Sequence, residues 1–164
     1  MKSLFDFYLQ VKDFNQKVGN KFHEYDTLDY WRAMESQSHL MVEESSEGVE
    51  AAKVNDAVES LDALCDEFFV WAWKAAMLEQ SGFDIEGAIQ AVCDNNATKY
   101  FDSYYLAVES KEMLENKFDE EMFIDTSVVN GVPFYCVKNS KGKVMKPVGF
   151  KAVSLEQFVP KEGY

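Results

Sequence analysis

The strongest constraint on this chain is the run from Glu43 to Glu67, in which two clusters of carboxylates flank the short polar break Lys53-Val54-Asn55-Asp56. At about 3.6 residues per turn, Glu43, Glu47 and Glu50 share one helical face, with Glu44 about 100° round from them. Beyond the break, Glu59, Asp62 and Asp66 recur at i, i+3 and i+7, again on one face. The pattern reads as the end of one helix, a tight connection and the start of the next. Antiparallel packing would turn the two acidic faces towards each other. Like charges at i,i+4 cost an isolated helix roughly 0.2–0.5 kcal/mol per pair, and convergence between packed helices costs more unless protons or cations intervene. A hard divalent cation such as Mg²⁺ meets that need, because it takes oxygen ligands and keeps some of its waters. Val49, Ala51, Ala52, Val58, Leu61 and Leu64, woven between the acids, set the segments against a core. The competing reading is a solvated acidic face on an acidic protein.

Charge narrows the partners. Sixteen basic against 29 acidic residues give a net charge of −13, which argues against nucleic acid as an electrostatic partner. An anionic substrate then needs a bridging metal or a local basic patch. The 164 residues, 47% of them hydrophobic, are expected to form one domain with a real core. No apolar run approaches the roughly 20 residues of a membrane span, and the N-terminal stretch lacks the apolar region of a signal peptide. Cys65, Cys93 and Cys136 are odd in number and show no CxxC spacing, so the expectation is reduced thiols in the cytoplasm. Two histidines make a His-based zinc site a poor candidate.

Along the chain, apolar spacing predicts a helix over 3–18 with Ser3 as N-cap, then a loop over 20–28. A second helix is predicted from about Asp29 to Lys53 and a third from about Asn55 to Gln80, the latter apolar nearly all round after its acids and therefore buried. A fourth starts near Asp84, with Ile85, Ala88, Ile89 and Val92 inward, and is expected to continue towards Tyr105. Residues 106–132 read as a further helix followed by a strand. Val132–Val137, the turn 139–142 and Lys143–Met145 read as a β-hairpin, with a short closing helix or strand over 154–159. The fold class expected is therefore all-α, an antiparallel bundle of four to five helices with a small C-terminal β-hairpin. Tyr30, Trp31 and His39 are candidates for stacking on a base, against the plainer reading that they are core. Lys138, Lys141, Lys143, Lys146 and Lys151 make 138–151 locally basic, which suits a triphosphate or simply solubility. There is no GxxxxGK[ST] loop, no GxGxxG and no Ser-His-Asp or Cys-His nucleophile constellation.

Glu43-Glu44-Ser45-Ser46-Glu47 matches an EExxE motif and Glu59-Ser60-Leu61-Asp62 an ExxD motif. With them the chain resembles the MazG-like all-α nucleoside triphosphate pyrophosphohydrolases, a superfamily that also holds dimeric dUTPases, dCTP pyrophosphatases and phosphoribosyl-ATP pyrophosphohydrolases. Asn96-Ala97-Thr98-Lys99 matches that superfamily's Asn-x-x-Lys pattern, and Gly142 to Pro147 with Gly149-Phe150 is similar to the C-terminal segment of its bacterial and phage members. The resemblance covers roughly residues 30–100 and 138–150. It implies one catalytic domain whose helices span about 29–102, an insertion at about 103–132 and a basic hairpin and tail over 133–164. It also implies hydrolysis of a nucleoside triphosphate, with a lean towards deoxynucleotides, to monophosphate and pyrophosphate, with Mg²⁺ or in its place Mn²⁺. Glu44, Glu47, Glu59 and Asp62 are the implied metal ligands and Glu43 the implied base. Asn96, Lys99, Lys143 and Lys146 would hold phosphates, and Arg32 and Trp31 would contribute to the substrate site. A homodimer or homotetramer is implied as well. The alternatives are a phosphoribosyl-ATP pyrophosphohydrolase and, from another class, a non-catalytic acidic helical binding protein.

Overall fold

The computed structural model describes residues 3–161 and divides them into two compact units, one formed by the chain up to Ile85 with the segment from Phe158 on, the other by Glu86–Gln157. The first holds α1 (Leu4–Lys17), α2 (Leu28–Lys53) and α3 (Ala57–Gln80). Ser3 caps α1 through a reciprocal capping box with Asp6. Thr27 caps α2 by accepting from the Tyr30 N–H, and Asp56 caps α3 by accepting from the N–H groups of Val58 and Glu59. The connection from α2 to α3 is only three residues long. Asn55 turns the chain there in the left-handed region at φ 59°, and the Asp56 N–H donates back to the Ala51 carbonyl.

Three pairs fix how α2 and α3 lie together. The Lys74 ammonium donates to Ser38 Oγ at 2.8 Å, the Ser45 hydroxyl donates to Glu67 Oε1 at 2.6 Å, and a Cβ on Gly48 would stand 3.4 Å from the Ala63 Cβ. As α2 positions rise, their α3 partners fall, so the helices are antiparallel. The core of this unit joins Val11 of α1 to Ala72, Trp73, Ala76 and Met77 of α3, with Phe22, Met34 and Phe68 packed around them. The apolar second half of α3 is buried as its composition predicts, while Phe69 and Trp71 keep exposed edges. Tyr8 and Lys12 both reach Glu79, at 2.6 and 3.1 Å, and tie α1 to the end of α3.

The second unit contains most of α4 (Ile85–Ala97), then β1 (Tyr100–Phe101), α5 (Tyr104–Phe118), β2 (Met122–Val129) and β3 (Val132–Asn139). The strands form an antiparallel sheet in the order β1-β3-β2. Leu114 of α5, Met122 and Val137 make its buried centre, joined by Phe101 and Met145. A 3₁₀ turn, Glu156–Phe158, follows.

Three sequence expectations are corrected here. The protein is mostly helical but not all-α, because residues 122–139 build two eight-residue strands. The main hairpin is β2–β3, closed by Asn130-Gly131 with both residues at positive φ, the backbone that an Asn-Gly hairpin turn requires. The expected return strand at 143–145 is reduced to a bridge between Lys138 and Val144, beyond a real 139–142 turn. Finally, α4 stops at Ala97 instead of running on to Tyr105. Asn95, Asn96 and Thr98 favour local side-chain bonds over helix: Thr98 Oγ1 donates to the Asn95 carbonyl, and Tyr100–Phe101 then pair with β3.

Candidate functional site

The acids of α2 and α3 meet on one side of the helix pair. Glu44 is half-buried, and its carboxyl is held above the ordinary range first by desolvation and then by the charges of Glu47, Asp66, Glu43 and Asp62. Four carboxylates from two helices thus act on a fifth. No lysine or arginine figures among the charges acting on Glu44, and Lys53, on the same stretch, is paired with Glu50 at 2.6 Å.

The helix register explains which acids take part. Ser45 sits level with Glu67 and Gly48 with Ala63, so Glu47 is level with the Leu64–Cys65 region of α3. At about 1.5 Å per residue, Asp66 then lies within about 2 Å of the Glu47 level along the axis and Asp62 within about 5 Å. Glu59 lies roughly 9 Å beyond it, towards the connection. Glu59, expected as a metal ligand, is not among the charges acting on Glu44, whereas Asp66 is. Glu59 occupies the first turn of α3, its N–H capped by Asp56, where a carboxylate favours the helix dipole. Asp66 stands at i+4 from Asp62, on the face that the sequence spacing assigns to Glu59, Asp62 and Asp66.

Among the described residues, no three Asp, Glu, His or Cys side chains are drawn together into a ready-made metal cage. Apart from Glu44, the acids of the cluster are exposed, so water screens them and their side chains stay apart. The donor set itself is entirely carboxylate oxygen, which fits a hard divalent cation and not a thiophilic one.

The remaining expected site residues divide between the two units. In the first, the Trp31 indole N–H donates to Asp26 Oδ1 at 2.8 Å, and its ring meets Tyr30 edge-on at 5.0 Å. Tyr30 is fully buried, beside Tyr25, so it serves as core and offers no face to a ligand. Trp31 remains half exposed. Arg32 is 3.9 Å from Asp29 and His39 is 3.9 Å from Glu35, both at the surface. In the second unit, Asn96 and Lys99 do come together, but mainly with each other. The Lys99 ammonium donates to Asn96 Oδ1, while Asn96 Nδ2 donates to the Val92 carbonyl at 2.9 Å. Lys143 is exposed beside the Asn139 turn, and the Lys146 ammonium lies 4.9 Å from the centre of the Phe150 ring.

No protein-family model, curated protein or solved structure matches this chain. No helix among the described residues is long and apolar enough to cross a membrane.

Proposed function

We propose that this protein is a divalent-cation-dependent nucleoside triphosphate pyrophosphohydrolase whose reaction centre lies on the α2–α3 pair. The supporting observation is the convergence of Glu43, Glu47, Asp62 and Asp66 on Glu44 without a basic counter-charge. A bound divalent cation would offset the mutual repulsion of these charges. Glu44, Glu47, Asp62 and Asp66 are the residues that would hold it. When bound, Mg²⁺ or Mn²⁺ supplies charge neutralisation to the triphosphate and to the departing pyrophosphate.

This chain's own residues do the rest. Glu43, exposed and i+4 from Glu47, is the proposed general base: it takes a proton from a water as that water's oxygen bonds to the α-phosphorus. The bond from that phosphorus to the α–β bridging oxygen breaks, releasing pyrophosphate and the monophosphate. No covalent enzyme intermediate is involved. Phosphate binding by Asn96, Lys99, Lys143 and Lys146 rests on the resemblance alone. Lys143→Ala and Lys146→Ala test it through a rise in KM at unchanged kcat. The homodimer or homotetramer is likewise proposed, from the exposed apolar residues of α1 and α3.

The deciding experiment is pyrophosphate release from a panel of dNTPs, NTPs and phosphoribosyl-ATP, with and without Mg²⁺. Metal-dependent release, abolished in Asp62→Asn and Glu47→Gln, is the expected result. No release from any substrate at high enzyme concentration overturns the reading and favours a non-catalytic acidic binding protein.

A further inference from the structure

The three-stranded sheet of the second unit buries one face against α5, through Met122, Val137 and Leu114. Its other face is open. There the register sets Asp125 and Tyr100 either side of Cys136, and Ser127 opposite Phe134. Together with Lys138 these residues line a concavity of about 500 Å³, within the size range of small-molecule sites. We propose that this concavity binds a planar heterocycle carrying a hydrogen-bond donor and acceptor side by side, as the edge of a nucleobase does.

Its two ends carry the argument. At one end Tyr100 and Phe134 meet edge-to-face at 5.5 Å and 87°, with the Tyr100 ring half exposed. Such rings offer stacking surface to a flat ligand. At the other end the Lys138 ammonium donates to Asp125 Oδ2, while Asp125 Oδ1 accepts the Thr126 N–H at 2.9 Å. Each partner of this pair stabilises the other's charge, lowering the Asp125 pKa and raising that of Lys138. The rim therefore presents a donor-only group next to an acceptor-only group. Lys138 keeps further N–H groups and the carboxylate further lone pairs, which match the C=O and N–H of an amide edge or the ring nitrogen and amino group of an amidine edge. A purely apolar partner covering this face would strip water from the ion pair and return no hydrogen bonds. A base would replace them. The inference is independent of the hydrolase reading, because it concerns the second unit and needs neither phosphate nor metal.

The thiol of Cys136 lies in the floor of the concavity, and Cys65 and Cys93 are exposed elsewhere. The test is the N-ethylmaleimide labelling rate of each cysteine, read by peptide mass spectrometry on the full chain in metal-free buffer. Labelling is measured with and without millimolar uridine, thymidine, cytidine, adenosine or guanosine. At least one nucleoside is expected to slow Cys136 about tenfold while leaving Cys65 and Cys93 unchanged. Asp125→Asn and Lys138→Met are each expected to remove the protection. An unliganded Cys136 rate equal to wild type shows that the sheet of a variant is intact, and either variant that passes suffices. The proposal is overturned by equal slowing at all three cysteines, by none, or by protection that survives an intact variant. Slowing that tracks protein concentration without nucleoside also overturns it, and assigns the face to a second copy of the chain.

Discussion

Glu44 shows how one side chain reports on a site. Its pKa is raised in the folded protein, so between the unfolded value of about 4.3 and the folded value the native state binds more proton than the unfolded state. Stability from this group is therefore present at low pH and is lost as pH rises through that window. At pH 7 without metal, Glu44→Gln is expected to raise Tm by about 1–2 °C, a gain that closes as the pH falls towards 4. Millimolar Mg²⁺ should reverse the order, because a ligand at a hundred times its Kd stabilises the native state by about 2.7 kcal/mol and Glu44→Gln removes one of its donors. Differential scanning fluorimetry at both pH values, with and without Mg²⁺, checks both statements. A second test separates the register from the motif: Asp66→Asn should reduce turnover at least 100-fold, and Glu59→Gln less than tenfold. The acids themselves were legible in the sequence. Their grouping was not, since helical periodicity gives the angle of each residue but not which level of one helix lies beside which level of its neighbour.

At the scale of elements, α2 comes close to α3 at Gly48, where an added Cβ would meet Ala63 at 3.4 Å. Alanine just fits, and removing a helix-interior glycine recovers up to about 1 kcal/mol. Gly48→Ala should therefore be neutral or stabilising in urea unfolding, whereas Gly48→Leu, which must wedge the helices apart, should cost about 1–3 kcal/mol. The three helices of the first unit were readable because apolar spacing, caps and stops agreed: Ser3 and the Lys53-Val54-Asn55-Asp56 break mark boundaries that the structure keeps within about two residues. The sheet was less so. Asn130-Gly131 is a strong hairpin signal, but a charged run precedes β2, and the Asn-Ser-Lys-Gly turn at 139–142 competes with it as the main reversal. The end of α4 depended on β3 accepting Tyr100 and Phe101, a long-range pairing that no local pattern records.

For the molecule as a whole, the acidic excess is concentrated in the first unit, and lysines are relatively enriched in the second. The first unit also leaves much apolar surface uncovered. Val58, Leu61 and Leu64 on α3 are 75%, 60% and 60% exposed, and a groove of about 830 Å³ runs between α1 and α3 past Phe7, Phe14 and Phe69. Contiguous exposed apolar surface marks association sites. We expect sedimentation at micromolar concentration to give a dimer or tetramer, and Leu61→Glu with Leu64→Glu to give a monomer of unchanged helicity. A wild-type monomer would remove the proposed assembly. The stretch 106–132, expected to form a further helix followed by a strand, lies across α5 and β2, and places Leu114 and Met122 in the second unit's core.

The pairs 38 with 74, 45 with 67 and 48 with 63 tie the acids together by counting. Adding one residue inside α3 between Ala63 and Asp66 would rotate Asp66 by about 100° and shift it by about 1.5 Å against α2, without altering any residue's identity. Between Ser38 and Lys74, then, the chain should tolerate many exchanges of side chain but almost no change of length. The exception is the three-residue connection, where an added residue can be absorbed as slack.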